Sequence, residues 1–501
     1  MSASSSPIDQ DPLVDVHNPN HYKVGTLTYT KAGLITLFVY LLWGDFCWSL
    51  METVMPSILP LKFKAIGAPN WELGLIMATI PSLMTTIINP IVSFKSDRFR
   101  SRWGRRIPFL AAVTPFLVIF LVLLGYEEPI SRWIQLTVLG GKYSYPSVAI
   151  WVIGVLMVGF QFFNLFTQAI FYYLFNDVVP HAFLARFVAL FRIAGGAAGI
   201  FYNYFIFKYA NEYMGEIFLG AGLLFLVGYG MMCWKVKEGE YPPPPPYVGN
   251  EHGLVASIKT YALECFSHRF YWYLFISNSF QAMTWVSGAF GLLLNTQYMG
   301  FSLAFLGTLG AVTGIIGLVL NYPGGVIADR WHPLRVHIAV SAVNFLASPI
   351  NFLFIFFWRP HMTLDAAMHL HVVMALITLP LGIVGSACEI PLLMKLFPQE
   401  RYGQFCSANA MIRGLAMAIG GVGCGAFLDF MKQFNPDPNY CYRFVWVWNF
   451  AASVGYFTFL LMVYFGWKRL GGLKNYNPPK AEPPKRLIHA LDWILGKAGK
   501  A

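Results

Sequence analysis

The sequence predicts an all-α membrane protein whose twelve transmembrane helices form two halves of six. Three observations support this fold class: the composition, the length of the apolar runs, and a weak repeat between the two halves of the chain. Of the 501 residues, 56% are hydrophobic, 17% are aromatic and only 12% are charged, and the mean hydropathy is +0.54. Soluble domains carry about 25% charged residues, so we expect a membrane protein and not an enzyme.

The apolar runs are long enough to cross a membrane as helices. A helix needs about 20 apolar residues to span the roughly 30 Å hydrocarbon core of a bilayer. The polar segment before Lys31 lacks the basic, apolar and small-residue layout of a cleavable signal, so we expect the first run to stay in the membrane. The runs and their breaks predict about twelve spans, near 33–58, 72–94, 109–125, 147–175, 187–209, 216–234, 270–298, 302–328, 336–358, 367–396, 405–430 and 443–467.

Basic residues are distributed unequally between the two sides of these spans. The formal net charge is +11, but Lys and Arg lie in short loops and tails beside apolar runs, which is typical of membrane topology and not of nucleic-acid binding. With both termini inside, the cytoplasmic segments and span ends hold 25 Lys and Arg residues and the outer loops and span ends hold 8, while only Arg192 and Arg413 lie inside spans away from their ends. This asymmetry predicts cytoplasmic termini.

The spans and the segments between them predict five regions. These are a cytoplasmic tail at 1–32, a six-helix half at 33–234, a cytoplasmic connector at 235–269, a second six-helix half at 270–467 and a cytoplasmic tail at 468–501.

The connector and the second tail each contain an amphipathic segment. Apolar residues recur at helical spacing within 254–265 and 487–495, beside Lys and Arg in the tail. The pattern predicts helices that lie on the inner membrane surface, or helices that pack on the protein's own loops. The five prolines at 242–246 favour a stiff polyproline spacer before the first of them.

The cysteines do not predict a disulfide or a metal site. Six of the seven fall in or near spans, and Cys441 is the only one in an outer loop, so no external pair and no CxxC motif is present in the sequence. We therefore expect no metal and no other cofactor.

A weak internal repeat supports the division into two halves. A proline followed by Asp-Arg ends the second and the eighth spans, at Asp97-Arg98 and Asp329-Arg330. A second repeat places a proline, a phenylalanine and an intramembrane arginine at the start of the fifth and eleventh spans, at Pro180, Phe187 and Arg192 and at Pro398, Phe405 and Arg413. Duplicated six-span halves are typical of transporters that hold solute near mid-membrane and alternate its access to the two sides.

The loop after the second span carries a resemblance to a known family. Residues 89–109, Asn-Pro-Ile-Val-Ser-Phe-Lys-Ser-Asp-Arg-Phe-Arg-Ser-Arg-Trp-Gly-Arg-Arg-Ile-Pro-Phe, resemble the corresponding loop of the glycoside-pentoside-hexuronide/cation symporters, which include sucrose transporters and melibiose permeases. The resemblance implies the fold of the major facilitator superfamily. It extends over the first five spans, and in the second half it rests only on Asp329-Arg330 and the Arg413 region.

The charges of this loop have two interpretations. As a gate, its aspartate would lie at the positive end of a neighbouring helix, and its arginines would pair with acids in one state and release them in the other. As a topology signal, the positive charge alone would suffice. We favour gating for Asp97, Arg98, Arg102 and Asp329, and we interpret Arg105 and Arg106 as mainly orienting. The gate would also include Arg330, the repeat counterpart of Arg98, Arg192, the repeat counterpart of Arg413, and Asp177, which matches an aspartate of the family.

Three residues of the first span form a candidate sugar site. Asp45, Trp48 and Glu52 follow one another at three and four residues, which places them on one helical face. Carboxylates accept hydrogen bonds from sugar hydroxyls and an indole stacks on the C–H face of a pyranose. The alternative is a buried acid that pairs with an arginine for structure. The resemblance favours the first interpretation, because Asp45 aligns with a sugar-binding aspartate of melibiose permeases.

Amide side chains add candidates on two other spans. Asn164 and Gln168 share a polar face of the fourth span with Gln161 and Tyr172, and Gln281 and Trp285 share one of the seventh span with Asn278. Amides both donate and accept, which suits a neutral hydroxylated solute. Hydrogen bonding between helices, which is common for Asn and Gln in membranes, is the alternative for each of them.

The ionisable residues inside spans are candidates for ion coupling. Asp45, Glu52 and Glu389 are the available acids, and Arg413 aligns with an intramembrane basic residue of melibiose permeases. Buried charges need partners, so we expect salt bridges that exchange during transport.

Two departures from the family change the expected ion. The two acids that hold sodium in melibiose permeases are replaced here by Thr85 and Asn89, which argues against sodium. The Asp–Arg pair of sucrose transporters is also missing, because Gln161 and Tyr172 stand in its place. We therefore expect coupling to a proton gradient through Asp45, Glu52 or Glu389.

The predicted function is secondary transport of a sugar or glycoside by alternating access, with proton symport. We expect a monomer in the cell membrane, specifically a bacterial inner membrane, with both termini in the cytoplasm. Its expected partners are lipid and a small-molecule sugar or glycoside, but not nucleic acid. Transport of another solute, such as a lysolipid, is the first alternative. A sensor without transport activity, built on the same fold, is the second.

Overall fold

The computed structural model describes residues 22–241 and 261–479, apart from the side chains at positions 90, 93, 94, 97, 98, 181, 182, 185, 328, 329 and 400. The predicted surface helix at 487–495 lies outside the described residues, as does most of the one at 254–265. The side chains of the predicted gate residues Asp97, Arg98 and Asp329 also lie outside them.

The described chain is almost entirely helical, which confirms the predicted all-α fold class. Its α-helices are α1 (Lys31–Ala65), α2 (Asn70–Gly74), α3 (Ile80–Arg98), α4 (Ile107–Gly125), α5 (Glu127–Trp133), α6 (Tyr145–Val178), α7 (His181–Phe201), α8 (Met214–Lys235), α9 (Arg269–Val286), α10 (Gly288–Leu293), α11 (Leu303–Arg330), α12 (Pro333–Leu353), α13 (Leu364–Leu396), α14 (Tyr402–Met431), α15 (Val445–Arg469) and α16 (Gly472–Asn475). Single π-helical turns extend several of them, at Leu75–Thr79, Ile134–Val138, Tyr202–Ile206, Leu294–Tyr298 and Phe354–Trp358.

Eleven helices within the described residues are long and apolar enough to cross a membrane, so the protein is a multi-pass membrane protein. The predicted seventh span, 270–298, is built differently from these. It comprises α9, α10 and a π-helical turn, with a break at Ser287. The Ser287 hydroxyl lies 2.7 Å from both the backbone carbonyl oxygen of Thr284 and Asn449 Oδ1 and can donate to either. The candidate residue Trp285 lies two residues before this break.

A short β-hairpin precedes the first helix and was not predicted. Its strands, β1 (Tyr22–Val24) and β2 (Leu27–Tyr29), are antiparallel, with Tyr22 opposite Tyr29. Gly25 begins the two-residue turn with a φ of +52°, which glycine adopts without steric cost. The hairpin is attached to the connector, because the backbone N–H of Glu240 donates to Thr26 Oγ1 at 2.8 Å.

The chain forms two compact units. The first comprises residues 1–62 and 87–245, and the second comprises 63–86 and 246–501. In the first unit α4 packs against α6 and α8 through fully buried side chains such as Leu117, Leu121 and Phe160. In the second unit an apolar core gathers side chains of α9, α13, α14 and α15, including Tyr271, Phe275, Leu396 and Trp467.

The described end of the connector helix belongs to the core of the second unit. Residues 261–266 are helical, and Cys265 is fully buried with the core of α9 and α13. Glu264 pairs with Arg401 at 2.7 Å. This end of the helix therefore packs on the protein itself, which favours the second of the two interpretations for that part.

Helix α2 packs closely on α14 within the second unit, because glycines line the contact. A Cβ at Gly74 would overlap the carbonyl oxygen of Gly421, and a Cβ at Gly425 would overlap that of Asn70. Small residues at such positions allow two backbones to approach in a membrane. Thr79 Oγ1 donates to the carbonyl of Ala418 at 2.5 Å and adds a polar link between the same helices.

Candidate functional site

The acid predicted at mid-span, Asp45, is completely buried in the first unit. Its Oδ1 accepts a hydrogen bond from Ser49 Oγ at 3.4 Å, and its Oδ2 has no hydrogen-bond partner among the described residues. Helix α7 approaches it at Gly195, where a Cβ would lie 3.0 Å from Ser49 Oγ and 3.5 Å from Asp45 Oδ2. A buried acid with one unused oxygen can bind a proton or a hydroxyl donor.

One turn further along α1, Asn164 of α6 joins two predicted site residues. Trp48 Nε1 donates to Asn164 Oδ1 at 3.3 Å, and Asn164 Nδ2 donates to Glu52 Oε1. Trp48 and Asn164 are buried, whereas Glu52 is partly exposed. The amide thereby fixes the indole plane and the carboxylate together, in a polar cluster that consists of Asp45, Trp48, Glu52 and Asn164 and that we call the α1–α6 cluster.

Three further residues surround this cluster. Gln168, one turn beyond Asn164 on α6, is half-buried. Tyr172, one more turn along, lies close enough to Asp45, Glu52 and Arg192 to interact with their charges. Arg192 is exposed although α7 is one of the apolar spans. An arginine in a span avoids lipid by facing a polar cavity or a partner, and the gating role of Arg192 stays a prediction.

In the second unit the structure brings Trp285 and Arg413 together. The guanidinium of Arg413 lies over the Trp285 indole, 4.4 Å from the ring centroid. Arg413 is half-buried on α14, and the indole is 53% exposed. Such cation–π contacts contribute about 0.5–1 kcal/mol when exposed and more when desolvated. The exposed indole leaves an aromatic surface for a ligand.

The amides of the seventh span connect α9 to the same helix. Asn278 Nδ2 donates to Asn409 Oδ1 at 2.9 Å, and Asn409 is buried. Gln281 is half-buried one turn before Trp285, and its carbonyl accepts from Thr284 Oγ1 at 2.7 Å. The Asn278–Asn409 bond corresponds to the interhelical alternative for these amides, while Gln281 and Trp285 remain candidates for ligand contact.

The third candidate acid, Glu389, lies beside a hydrogen-bonded network that sequence reasoning missed. Glu389 is half-buried on α13 and is near enough to Tyr456 to interact with it electrostatically. The Tyr456 hydroxyl is hydrogen-bonded to His337 Nε2 and accepts from Ser341 Oγ at 3.4 Å. The only sequence signals were a lone histidine and a serine four residues apart in the apolar run of α12.

Two arginines of the loop after α3, Arg105 and Arg106, are paired within the first unit. Arg105 binds Asp177 through two hydrogen bonds, from Nη2 to Oδ1 at 2.7 Å and from Nε to Oδ2 at 3.0 Å. Arg106 Nε also contacts Asp177 Oδ2, at 3.1 Å, and its Nη1 donates to Ser96 Oγ at 2.6 Å. Arg105 and Arg106, which the sequence suggested were mainly orienting, thus bind the acid that was predicted for the gate.

Glu238, in the first part of the connector, completes this arrangement. Its Oε1 accepts from the backbone N–H groups of Arg106 and Ile107 at 2.8 and 2.6 Å, and its Oε2 accepts from that of Arg105 at 3.0 Å. These are N–H groups at the start of α4, which carry the positive end of the helix dipole.

Tyr241 covers the same carboxylate and the neighbouring arginine. Its hydroxyl donates to Glu238 Oε2 at 2.9 Å, and its ring lies 4.1 Å from the Arg105 guanidinium. Burial, together with the negative charges of Glu238 and Asp177, raises the pKa of Tyr241 well above its usual value of 10. We call Arg105, Arg106, Asp177, Glu238 and Tyr241 the connector clasp.

Two of the predicted gate residues whose side chains are described, Arg102 and Arg330, are not part of this clasp. Arg102 and Arg330 are both exposed, and the structure shows no ion pair between either of them and a described residue. Within the described residues no group of three His, Cys, Asp or Glu side chains is placed to hold a metal ion.

Comparison with known proteins places these features in a family. The family model described as "Major Facilitator Superfamily" matches residues 41–421. A bacterial homolog of the human lysosomal transporter Spinster, solved in an inward-facing and occupied conformation, is similar at 12% identity with a TM-score of 0.61, over 90% of this chain and 100% of that chain.

Two other solved structures show the same fold. The nucleoside transporter NupG has 12% identity and a TM-score of 0.60 over 85% of this chain and 99% of that one. A D-xylose-proton symporter has 13% identity and a TM-score of 0.60 over 90% of this chain and 100% of that one. At these identities the similarity shows the fold alone, whereas the family model covers most of the sequence. The chain therefore belongs to the major facilitator superfamily and has the fold of its transporters.

Proposed function

We propose that this protein is a secondary transporter that moves a sugar or glycoside by alternating access, driven by a proton gradient. The observation that carries this proposal is the α1–α6 cluster, in which an indole, a carboxylate and an amide are held together beside a second, buried carboxylate. Within the superfamily we assign the chain to the glycoside-pentoside-hexuronide/cation symporters, on the strength of residues 89–109.

The chemistry of the cluster suits a neutral, hydroxylated ring. Glu52 and Asn164 offer acceptors and donors to hydroxyl groups, and the Trp48 indole offers an apolar face. In the second unit, the exposed Trp285 indole with Arg413 beside it has the same combination of an aromatic surface and a polar group. One of the similar structures, the D-xylose-proton symporter, is named for a sugar, which agrees with this substrate class.

The acids inside the spans support the proposal of proton coupling. Asp45 is fully buried with one oxygen free of described partners, and no arginine or lysine forms a salt bridge with it among the described residues. An isolated carboxylate in such a place is more stable when it binds a proton. We propose Asp45 as the first proton acceptor, with Glu52 and Glu389 as the other candidates.

The test is uptake into proteoliposomes. The purified protein is reconstituted, a panel of labelled mono- and disaccharides is offered, and uptake is measured with and without an imposed inward proton gradient. We expect one sugar to accumulate only with the gradient, and Asp45→Asn to abolish accumulation while exchange of the sugar across the membrane persists. Ser49→Ala, which removes only the weak hydrogen bond to Asp45, serves as the matched control.

Each part of the proposal can fail separately. Uptake that ignores the gradient would exclude proton symport but not sugar transport. No uptake of any sugar, together with uptake of nucleosides or lysolipids offered in the same assay, would overturn the substrate class. Binding of a sugar with no flux would indicate a sensor.

A further inference from the structure

A cavity lies at one end of the helix pair α9 and α15, in the second unit. It has a volume of about 400 Å³, and its lining includes Arg269, Phe270, Tyr273, Met462, Phe465 and Arg469. Arg269 is the first residue of α9 and Arg469 is the last residue of α15. The cavity therefore lies where the apolar part of both helices ends, at the level at which a membrane helix meets lipid headgroups.

The two arginines give this cavity a positive charge that nothing described neutralises. Both side chains are exposed, and neither forms a salt bridge with a described residue, whereas Arg401 of the same unit is paired with Glu264. No acidic residue is among those that line the cavity. Two guanidinium groups at the edge of one cavity provide the positive charge and the N–H donors that bind a phosphate.

The walls of the cavity are apolar and face outward, which distinguishes it from a site for a soluble anion. Phe465 is 55% exposed and Met462 is 41% exposed, so a hydrophobic surface continues from the arginines along the outside of α15. Tyr273, partly buried on α9, packs near Phe459 with ring centroids 6.3 Å apart and forms the opposite wall. A phosphate that carries acyl chains would satisfy both surfaces, whereas inorganic phosphate would leave the apolar one in water.

We propose that the cavity between α9 and α15 binds an anionic phospholipid, with its phosphate between Arg269 and Arg469 and an acyl chain along Met462 and Phe465. The site is independent of the transported solute. By holding the first helical segment of the interrupted seventh span to the last span, a bound lipid would stabilise the second unit.

The experiment measures lipid retention by native mass spectrometry. The full-length protein is purified in detergent micelles doped with phosphatidylglycerol or, separately, with phosphatidylcholine. The test variant is the double substitution R269Q/R469Q. The matched control is K468Q/K474Q, which removes two exposed positive charges from the same end of the molecule without touching the cavity lining.

We expect wild type and K468Q/K474Q to retain one phosphatidylglycerol in preference to phosphatidylcholine. R269Q/R469Q should bind phosphatidylglycerol roughly 30-fold more weakly, since each basic residue near the membrane surface contributes a roughly fivefold step in affinity. An unfolding temperature equal to that of wild type, measured in detergent micelles doped with phosphatidylcholine, would show that the test variant is folded.

Three results would overturn the proposal. The first is equal retention of both lipids by wild type, and the second is an equal loss in the test and control variants, which would indicate general surface charge. The third is displacement of the lipid by glycerol phosphate at the same concentration, which would indicate a site for a soluble phosphate.

Discussion

At the scale of single residues, Asn164 is the most consequential side chain of the α1–α6 cluster. Its amide contacts Trp48 with the oxygen and Glu52 with the nitrogen, so one residue orients both the aromatic face and the carboxylate. We predict that Asn164→Leu, which keeps the volume and loses both hydrogen bonds, weakens sugar binding roughly tenfold, because a hydrogen bond to a charged group contributes about 1.5–3 kcal/mol.

The measurement is a titration of the purified variant with the sugar that the uptake panel identifies. Thr167→Val is the control, because Thr167 is buried on the same helix and makes only a long bond, 3.4 Å, to the carbonyl of Phe163. Equal affinities for Asn164→Leu and Thr167→Val would show that the cluster does not contact the sugar.

A second prediction at this scale concerns His332, which lies between two spans. Its Nδ1 accepts from the Leu334 N–H at the start of α12, and its ring packs on Trp467. Burial, together with Lys395 and Arg335, lowers the pKa of His332 from 6.5 to about 4. Between these two pH values the unfolded chain binds a proton that the folded chain does not, so this residue makes stability fall as the pH drops from 6.5 to 4.

In His332→Asn an amide oxygen replaces the ring nitrogen as the capping acceptor. We expect the unfolding temperature of this variant to fall less than that of wild type between pH 7.5 and pH 4.5 in detergent. Above pH 6.5 both states of His332 are neutral, and the two proteins should respond equally to pH. The exposed His361 supplies the control substitution, His361→Asn. Parallel pH curves for all three proteins would contradict the assignment.

At this scale the sequence could predict which side chains share a face of one helix, but not which side chains of different helices are in contact. Helical spacing placed Asp45, Trp48 and Glu52 on one face of α1, because three and four residues make about one turn. It could not predict that Asn164 contacts two of them, since that depends on how α6 packs against α1. His337 and Tyr456 were missed for the same reason: they lie on different helices and form a pair only through packing.

At the scale of elements, the contact between α2 and α14 is the one most easily tested. Asn70 Nδ2 lies 3.0 Å from Asp429 Oδ1 and 3.9 Å from the sulfur of Cys441, while Asp429 Oδ2 accepts from the Trp71 N–H at 2.9 Å. If α2 separates from α14 during alternating access, a covalent link here must stop transport.

We predict that Asn70→Cys forms a disulfide with the native Cys441 on oxidation, that sugar uptake then falls to background, and that a reductant restores it. Asn70→Ser loses the same hydrogen bonds without adding a thiol, so oxidant should not change its uptake. Mass spectrometry of the oxidised variant shows whether the bond has formed. Full uptake by the disulfide-linked protein would mean that α2 and the short helix that contains Cys441, Tyr440–Phe444, stay together throughout the cycle.

The elements were largely predictable, and their irregularities were not. Apolar length identified the spans, because a helix must hold about 20 apolar residues to cross a bilayer. The break at Ser287 escaped prediction because serine is tolerated in helices, and its role depends on Asn449 of α15. The hairpin at 22–29 escaped because its strands have only three residues each, and because its attachment to Glu240 is more than 200 residues away in sequence.

At the scale of the whole molecule, the division by contacts is not the division by sequence. The repeat predicts halves at 33–234 and 270–467, and that assignment stays a prediction. In the structure, residues 63–86 are grouped with the second unit. Close packing at Gly74 and Gly425 and the hydrogen bond of Thr79 attach this segment to α14. A sequence repeat results from duplication, whereas the contacts depend on the conformation of the protein. A segment of the first predicted half, residues 63–86, can therefore pack with helices of the second predicted half.

Orientation in the membrane is also a property of the whole chain, and the native cysteines make it testable. Among the seven, six are buried and Cys406 is half-buried, so a membrane-impermeant maleimide should label the natural protein weakly.

Lys142 and Arg102 are exposed in loops on opposite predicted sides of the membrane. We predict that Lys142→Cys is labelled in intact cells and that Arg102→Cys is labelled only after permeabilisation, because the 25 predicted cytoplasmic basic residues outweigh the 8 outside. The opposite labelling pattern would reverse the assigned topology, and it would place the connector clasp on the outer face of the membrane.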